Sequence, residues 1–282
     1  VITLEDALAT GYGTWRSFDC PSHEASHPTA RVNVLTGKWV CMSCGAKGSA
    51  ENYEPDPDRL LDAALKAVDE MDKRRDYPES WLDQFDHHTP GAYWLSRFSE
   101  VTCRIYRLGW DSLEKQAVYP FRDDDGTVLG VVRRARPGEH PKYRYPPGVD
   151  AHKHLFGYHL ARFAEVLVLT EGAPDAAAVT DVADLLALET GMTWAPLGCY
   201  GKVLHPAQIT LIHRLRPRYI VLGFNGDDAG ERGQWVADQR LGRQGLIAHQ
   251  AELPPTKDLG DLSPVRRMRT LLQALAVSPL TV

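Results

Sequence analysis

Four potential metal ligands stand early in the chain: Cys20 and His23 in "CPSH", and Cys41 and Cys44 in "CMSC". Each pair has two residues between its members, and seventeen residues separate the pairs. Such spacing lets one tight turn offer two ligands to one ion. Three thiolates and one imidazole make a closed tetrahedral zinc site. The interval "ARVNVLTGKWV" reads as a β-hairpin turning at Thr36 and Gly37. A domain this small has little core, so one structural Zn²⁺ would supply much of its folding energy. His27 is a competing ligand, but only His23 has the tight spacing. A closed site leaves no open position for substrate, so its role is structure and recognition. Arg31, Lys38, Trp39 and Lys47 add positive charge and a stacking ring, features suited to single-stranded nucleic acid.

A second set of residues is acidic. Glu171 follows the apolar run "VLVLT", and Asn225, Asp227 and Asp228 follow "YIVLGF". Asp258 and Asp261, in "PPTKDLGDL", follow "LIAHQAEL". Any one such turn also describes a solvated loop. Three of them at strand ends of one α/β unit point to carboxylates converging on a cation. Hard oxygen ligands suit Mg²⁺ or Mn²⁺, and two such ions can activate a hydroxyl and stabilise a leaving pyrophosphate. The strongest basic stretch, "VVRRARPGEHPKYR", carries Arg133, Arg134, Lys142 and Arg144 with Tyr143 and Tyr145 interleaved. Charge mixed with rings is what a nucleic-acid groove offers. No Walker-type phosphate loop and no Gly-x-Gly-x-x-Gly occurs.

The elements that must position these residues differ along the chain. From residue 164 onward, buried-type strands alternate with helical stretches: "AEVLVLTEG", "PDAAAVTDVA", "WAPLGCYG", "HPAQITLIHRLR", "YIVLGF", "AGERGQWVADQRLG", "GLIAHQAEL". Alternation of this kind gives a parallel α/β sheet. Open sheets of that type hold their ligands beyond the carboxyl ends of the strands, where the acids fall. Residues 117–158 are rich in turn signals and read as short antiparallel strands. Residues 81–115 read as small helices. Leu60, Leu61, Ala64, Leu65 and Val68 recur at helical spacing in a charged spacer. Net charge is −5 over 282 residues, so nucleic-acid binding must come from a local patch. No apolar run approaches a membrane span, and the first residues lack a signal peptide's pattern, so no membrane association is expected. Five cysteines without a secretory signal argue against a disulfide framework; Cys103 and Cys199 read as small core residues.

Together these segments resemble the bacterial DnaG-type DNA primases and their phage relatives. The Cys-His-Cys-Cys segment is similar to that family's zinc ribbon. "TEGAPDAAAV" resembles the Glu-Gly-x-x-Asp motif of its TOPRIM fold, "FNGDDAG" the Asp-Gly-Asp-x-Ala-Gly motif, and "LPPTKDLGDL" the Gly-Lys-Asp-Pro-Asp segment. The resemblance implies a multidomain α+β and α/β chain. Its parts are a zinc-binding domain (1–52), a helical linker (53–80), an N-terminal subdomain of the core with a basic groove (81–158), a TOPRIM subdomain (159–262) and a C-terminal helical tail (263–282). It implies Glu171, Asp227 and Asp258 as catalytic acids. Asp228 and Asn225 join them around two or more Mg²⁺ or Mn²⁺ ions, with Asp175 in support. Arg133, Arg134, Lys142 and Lys153 fall where the family holds template or nucleotide phosphates. The implied function is primer synthesis from NTPs on a single-stranded DNA template, by a cytoplasmic monomer partnered by a replicative helicase. The alternative is a weakened or inactive primase-like DNA-binding replication factor, motivated by Asn225 standing where the family has Asp. "KDLGD" also lacks the family's Pro, which puts Asp261 out of register. A topoisomerase would need a further domain with an active-site Tyr, and a TOPRIM nuclease would not be expected to carry the zinc ribbon.

Overall fold

The computed structural model describes residues 3–9, 15–25, 28–51, 61, 65, 75–85, 91–136 and 138–276. His27 and most of the spacer helix lie outside the described residues. The chain forms two compact units, Val1–Lys73 and Arg74–Val282.

The first unit holds helix α1 (Leu4–Ala9) and four short strands, β1 (Trp15–Phe18), β2 (Ala30–Asn33), β3 (Lys38–Cys41) and β4 (Lys47–Ser49), paired antiparallel in chain order. The β2–β3 hairpin turns where expected, with Gly37 at φ 64° and its amide donating to the Asn33 carbonyl. Phe18, Ala30 and Val32 form a small core beside Cys20 and Cys41.

In the second unit, α2 (Gly91–Leu95) and α3 (Glu100–Ile105) precede an antiparallel sheet of β5 (Gly109–Asp111), β6 (Gln116–Arg122), β7 (Val128–Arg134) and β8 (Tyr143–Arg144). This sheet is buried on both faces. Val118, Val128 and Val131 cover Leu82 and Phe85, while Ala117, Tyr119, Phe121 and Leu129 pack with Trp94 and Phe156. The unit begins earlier than the expected boundary at 81: Tyr77 bridges to Val128 and stacks on Trp81.

The parallel sheet follows, with strands β9 (Val166–Thr170), β10 (Trp194–Gly198), β11 (Tyr219–Leu222) and β12 (Ala248–Gln250) in the order β10-β9-β11-β12. Helices α4 (Ala173–Thr190), α5 (Pro206–Leu215), α6 (Asp228–Gly242) and α7 (Pro264–Ala276) cover it. Period-two alternation splits β9 between two cores. Leu167 and Leu169 pack with Ile212, Ala237 and Leu241; Val166 and Val168 pack with Val179, Val182 and Leu271. The sequence suggests a C-terminal helical tail over residues 263–282. Within it Pro264–Ala276 form α7, and its Leu271 and Ala274 complete the second of those cores. Arg267 of α7 is 3% exposed and donates to the carbonyls of Ala178 (2.7 Å), Leu259 (2.7 Å) and Leu262 (2.8 Å). Among the described residues, no helix is long and apolar enough to cross a membrane.

Candidate functional site

The four sulfur and nitrogen ligands of the first unit converge, all within 4.8 Å of one another. Two sulfurs each about 2.3 Å from one ion at the tetrahedral angle stand about 3.8 Å apart. Cys20 Sγ and Cys44 Sγ are 3.7 Å apart. His23 Nε2 lies 3.5 Å from the Thr29 hydroxyl, whereas its Nδ1 is buried without a hydrogen-bond partner, an atom that a metal would satisfy. The amides of Ser43 and Cys44 donate to Cys41 Sγ at 3.3 and 3.4 Å, and that of Ser22 to Cys20 Sγ at 3.4 Å. Burial pushes the Cys41 thiol up, but hydrogen bonding from Thr29 and these amides outweighs it and brings the group down to about 6. The donor set fits zinc. Trp39 is half-buried: it meets Phe18 edge-on and covers Gly48, where a Cβ would fall 2.7 Å from the indole nitrogen. Lys38 is exposed.

In the second unit, the carboxyl ends of β9 and β11 and the loop after β12 meet. Glu171 follows β9 and is 8% exposed; its Oε1 accepts the Asn225 amide at 3.0 Å, so the first two acidic turns are joined directly. The third is tied in through backbone: Gly226 N donates to the Lys257 carbonyl (2.8 Å), and Thr256 N to the Gly226 carbonyl (2.6 Å). A Cβ on Gly226 would press into the Pro254 carbonyl, so only glycine permits that approach. Asp175, in the first turn of α4, and Asp258 face each other across Gly260, whose Cβ position lies 3.3 and 3.1 Å from their oxygens. Glu171, Asp175, Asn225 and Asp258 line one cavity of about 300 Å³.

Burial raises Glu171 above the usual carboxylate range. Burial, then the charges of Asp258 and Glu171, push Asp175 up to about 8. Asp227 is held low by the Gly230 amide, which it accepts as N-cap of α6 at 2.6 Å, and by Lys202. Crowded acids with raised affinity for protons are what a bound cation would relieve. Asn225 Oδ1 is buried and unpartnered, an oxygen available to such an ion. The donor set of carboxylates and one amide oxygen fits Mg²⁺ or Mn²⁺. Among the described residues, no three of these acids approach as closely as the zinc-type ligands do; the other cluster within 4.8 Å is Asp123, Asp124 and His154, at the β6–β7 turn.

The same cavity is also lined by basic and aromatic residues: Arg97, Arg134, Lys142, Tyr143 and Tyr145. Arg134 donates to the Tyr143 hydroxyl at 2.7 Å and lies over the rings of Tyr93 and Tyr143 at 5.4 and 5.3 Å. Arg134 and Lys142 also line an adjoining trough of about 410 Å³ with Tyr93, Trp110, Lys115 and Arg136. Acids and basic trough therefore share a wall.

Several expected residues lie elsewhere. Arg133 faces away from Arg134, as neighbours on a strand must, and its guanidinium pairs with buried Asp111 at 3.1 Å. Arg144 donates to Gln116 at 2.6 Å, and Lys153 is exposed beside Asp150. Asp228 is exposed and does not line the cavity; Asp261 caps the turn that Asp258 begins, donating its amide to Asp258 Oδ1 at 2.7 Å. Asp227 is at the rim, where Lys202 Nζ sits 3.1 and 3.0 Å from its two oxygens. Neither Lys202 nor Arg97 carries a periodic or motif signal, and Asp175 is visible only through the resemblance.

No protein-family model matches the chain. It is 25% identical over 304 residues to the DNA primase of Deinococcus radiodurans, a match covering 86% of this chain and 52% of that protein. It is 28% identical over 156 residues to a Staphylococcus aureus DNA primase, covering 53% of this chain and 24% of that one. The chain thus spans about half of the first relative and a quarter of the second. Among solved structures, the zinc-binding and RNA polymerase domains of Aquifex aeolicus primase superpose with a TM-score of 0.53 at 18% identity, over 97% of this chain and 82% of that one. A DnaG primase catalytic domain bound to single-stranded DNA gives 0.56 at 16% identity, over 76% and 78%. The fold is that of primase zinc-binding and catalytic domains, and the resemblance to DnaG-type primases holds in both sequence and structure.

Proposed function

We propose that the chain carries the zinc-binding and polymerising parts of a DnaG-type primase and makes short RNA primers from NTPs on single-stranded DNA. One observation carries this reading: Arg134 and Lys142 line both the acidic cavity and the basic, ring-lined trough. Template or product backbone in the trough would run directly into the acids. Glu171, Asp175, Asn225 and Asp258 would hold Mg²⁺ or Mn²⁺, with Asp227 beside them at the rim; when bound, the metal supplies charge to activate a hydroxyl and stabilise pyrophosphate. Arg97, Arg134 and Lys142 would clamp the triphosphate. The 3′-hydroxyl of one nucleotide gives up its proton to solvent as its oxygen bonds to the α-phosphorus of the next, the bond from that phosphorus to its bridging oxygen breaks, and pyrophosphate leaves. The chain's contribution is alignment and prearranged charge. Cys20, His23, Cys41 and Cys44 would hold one Zn²⁺ for structure. On the resemblance alone, the chain would act in the cytoplasm as a monomer, with a replicative helicase as partner.

The test is primer synthesis on a panel of single-stranded templates with NTPs and Mg²⁺ or Mn²⁺, with Glu171→Ala as control. Wild type should yield short RNA and the variant none. A wild type that binds the templates yet makes no RNA with either metal would leave the DNA-binding alternative standing.

A further inference from the structure

Lys202 stands in the loop after β10, between the acids. Its Nζ spans both oxygens of Asp227, at 3.1 and 3.0 Å, and its side chain lines the cavity that holds Glu171, Asp175, Asn225 and Asp258. The loop that delivers it is fixed on two sides. A Cβ on Gly233 of α6 would press into the Lys202 carbonyl, so the helix touches this backbone directly. Gly201 N donates to the Glu171 carbonyl at 2.8 Å. The ammonium is thus carried by backbone packed against α6 and hydrogen-bonded to Glu171.

Charge decides what this means for metal binding. Two divalent ions bring four positive charges to the acids. Asn225 supplies an oxygen but no charge, and the charge of Asp227 is already matched by Lys202. An ammonium spanning both carboxylate oxygens stands where Asp227 would reach an ion, and repels any cation placed there. We propose that Lys202 takes the place of one of two divalent ions: the site binds a single ion among Glu171, Asp175, Asn225 and Asp258, and Asp227 anchors the lysine. This rests on the reading of these acids as the metal site of nucleotidyl transfer.

The experiment is a Mn²⁺ titration of the zinc-loaded full chain, with free Mn²⁺ followed by electron paramagnetic resonance. Wild type should take up one ion that Glu171→Gln removes. Lys202→Met should bind a second ion at least about fivefold more tightly than wild type, roughly the weight of an exposed ion pair that no longer competes. Lys202→Arg should behave as wild type, and Lys202→Met with Asp227→Asn should lose the gained ion. Unchanged thermal unfolding of Lys202→Met would show that the fold is kept. If wild type binds its ion and Lys202→Met adds nothing, the inference is overturned while the metal site stands. If wild type binds no ion sensitive to Glu171→Gln, both fall together.

Discussion

Gly230 offers a perturbation whose sign is set by two opposing terms. It lies in the first turn of α6, where replacing glycine with alanine would ordinarily stabilise the helix by about 0.8–1 kcal/mol. Here a Cβ would press into the Asn225 carbonyl and stand 2.8 Å from Glu171 Oε1. Ordinary C···O contacts begin near 3.3 Å, so the Glu171 contact alone is short by about 0.5 Å. The nearer obstacle is main chain and cannot rotate away. Overpacking of this kind costs about 1–3 kcal/mol, and the upper part of the range applies when backbone must shift. The net expectation for Gly230→Ala is a loss of about 1–2 kcal/mol, or a fall of about 2–8 °C in the melting temperature of the second unit. Gly242, at the other end of the same helix, has nothing within 4 Å of its Cβ position. Gly242→Ala should therefore gain about 0.5–1 kcal/mol and raise the melting temperature. Thermal unfolding followed by circular dichroism measures both, and a Mn²⁺ titration of Gly230→Ala should show weaker binding because Asn225 and Glu171 are pushed apart. A Gly230→Ala protein that melts at or above wild type with unchanged Mn²⁺ affinity would refute the close packing of these turns.

Cys41→Ser should release zinc, measured by elemental analysis, and loosen the first unit while the second unfolds as before; retained metal would contradict the ligand assignment. Charge reversal at Arg134 and Lys142 should weaken single-stranded DNA binding and flatten its salt dependence by about 0.7 for each phosphate no longer neutralised, whereas reversal at Arg133 should mainly destabilise the fold by stranding Asp111. Asn225→Asp should lower the Mg²⁺ concentration that half-saturates binding; a higher requirement would show that the amide is preferred there. For Asp175, the folded state binds its proton up to about 8 while the unfolded chain releases it near 3.8. Metal-free stability should thus decline as pH rises from about 4 toward 8, and Asp175→Asn should remove that slope in urea titrations across this window.

Much of this molecule is legible in its sequence, for physical reasons that particular residues show. The ligand spacing of Cys20, His23, Cys41 and Cys44 is local geometry, so two turns of chain specify it. Strand β9 is apolar at every position through Leu169, the pattern of a strand covered on both faces, and this is what exposes the parallel sheet. Sequence reasoning fails where meaning depends on distant partners. Arg133 and Arg134 look alike in a basic run, yet the pleat sends one to Asp111 and the other to the cavity. Trp39 reads as an open ring, yet Gly48 and Phe18 take up part of its surface. Asp228 has the charge missing at Asn225 and stands close by in the chain, but the helix start turns it outward. Lys202 meets Asp227 only because a loop from β10 reaches α6, and no short-range pattern encodes that meeting.

Arg267 has a bearing on any attempt to transplant this chemistry. Its guanidinium gathers the carbonyl of Ala178, one turn from Asp175, together with those of Leu259 and Leu262, which flank the turn begun by Asp258. The distance between two acids from remote parts of the sequence is therefore gauged by a third segment that contributes nothing to the cavity. Grafting the three acidic loops onto another parallel sheet would carry the ligands and leave the gauge behind. The smallest portable form of the site includes α7, and a shortened protein lacking that helix should keep its strands yet lose the fixed spacing of Asp175 and Asp258.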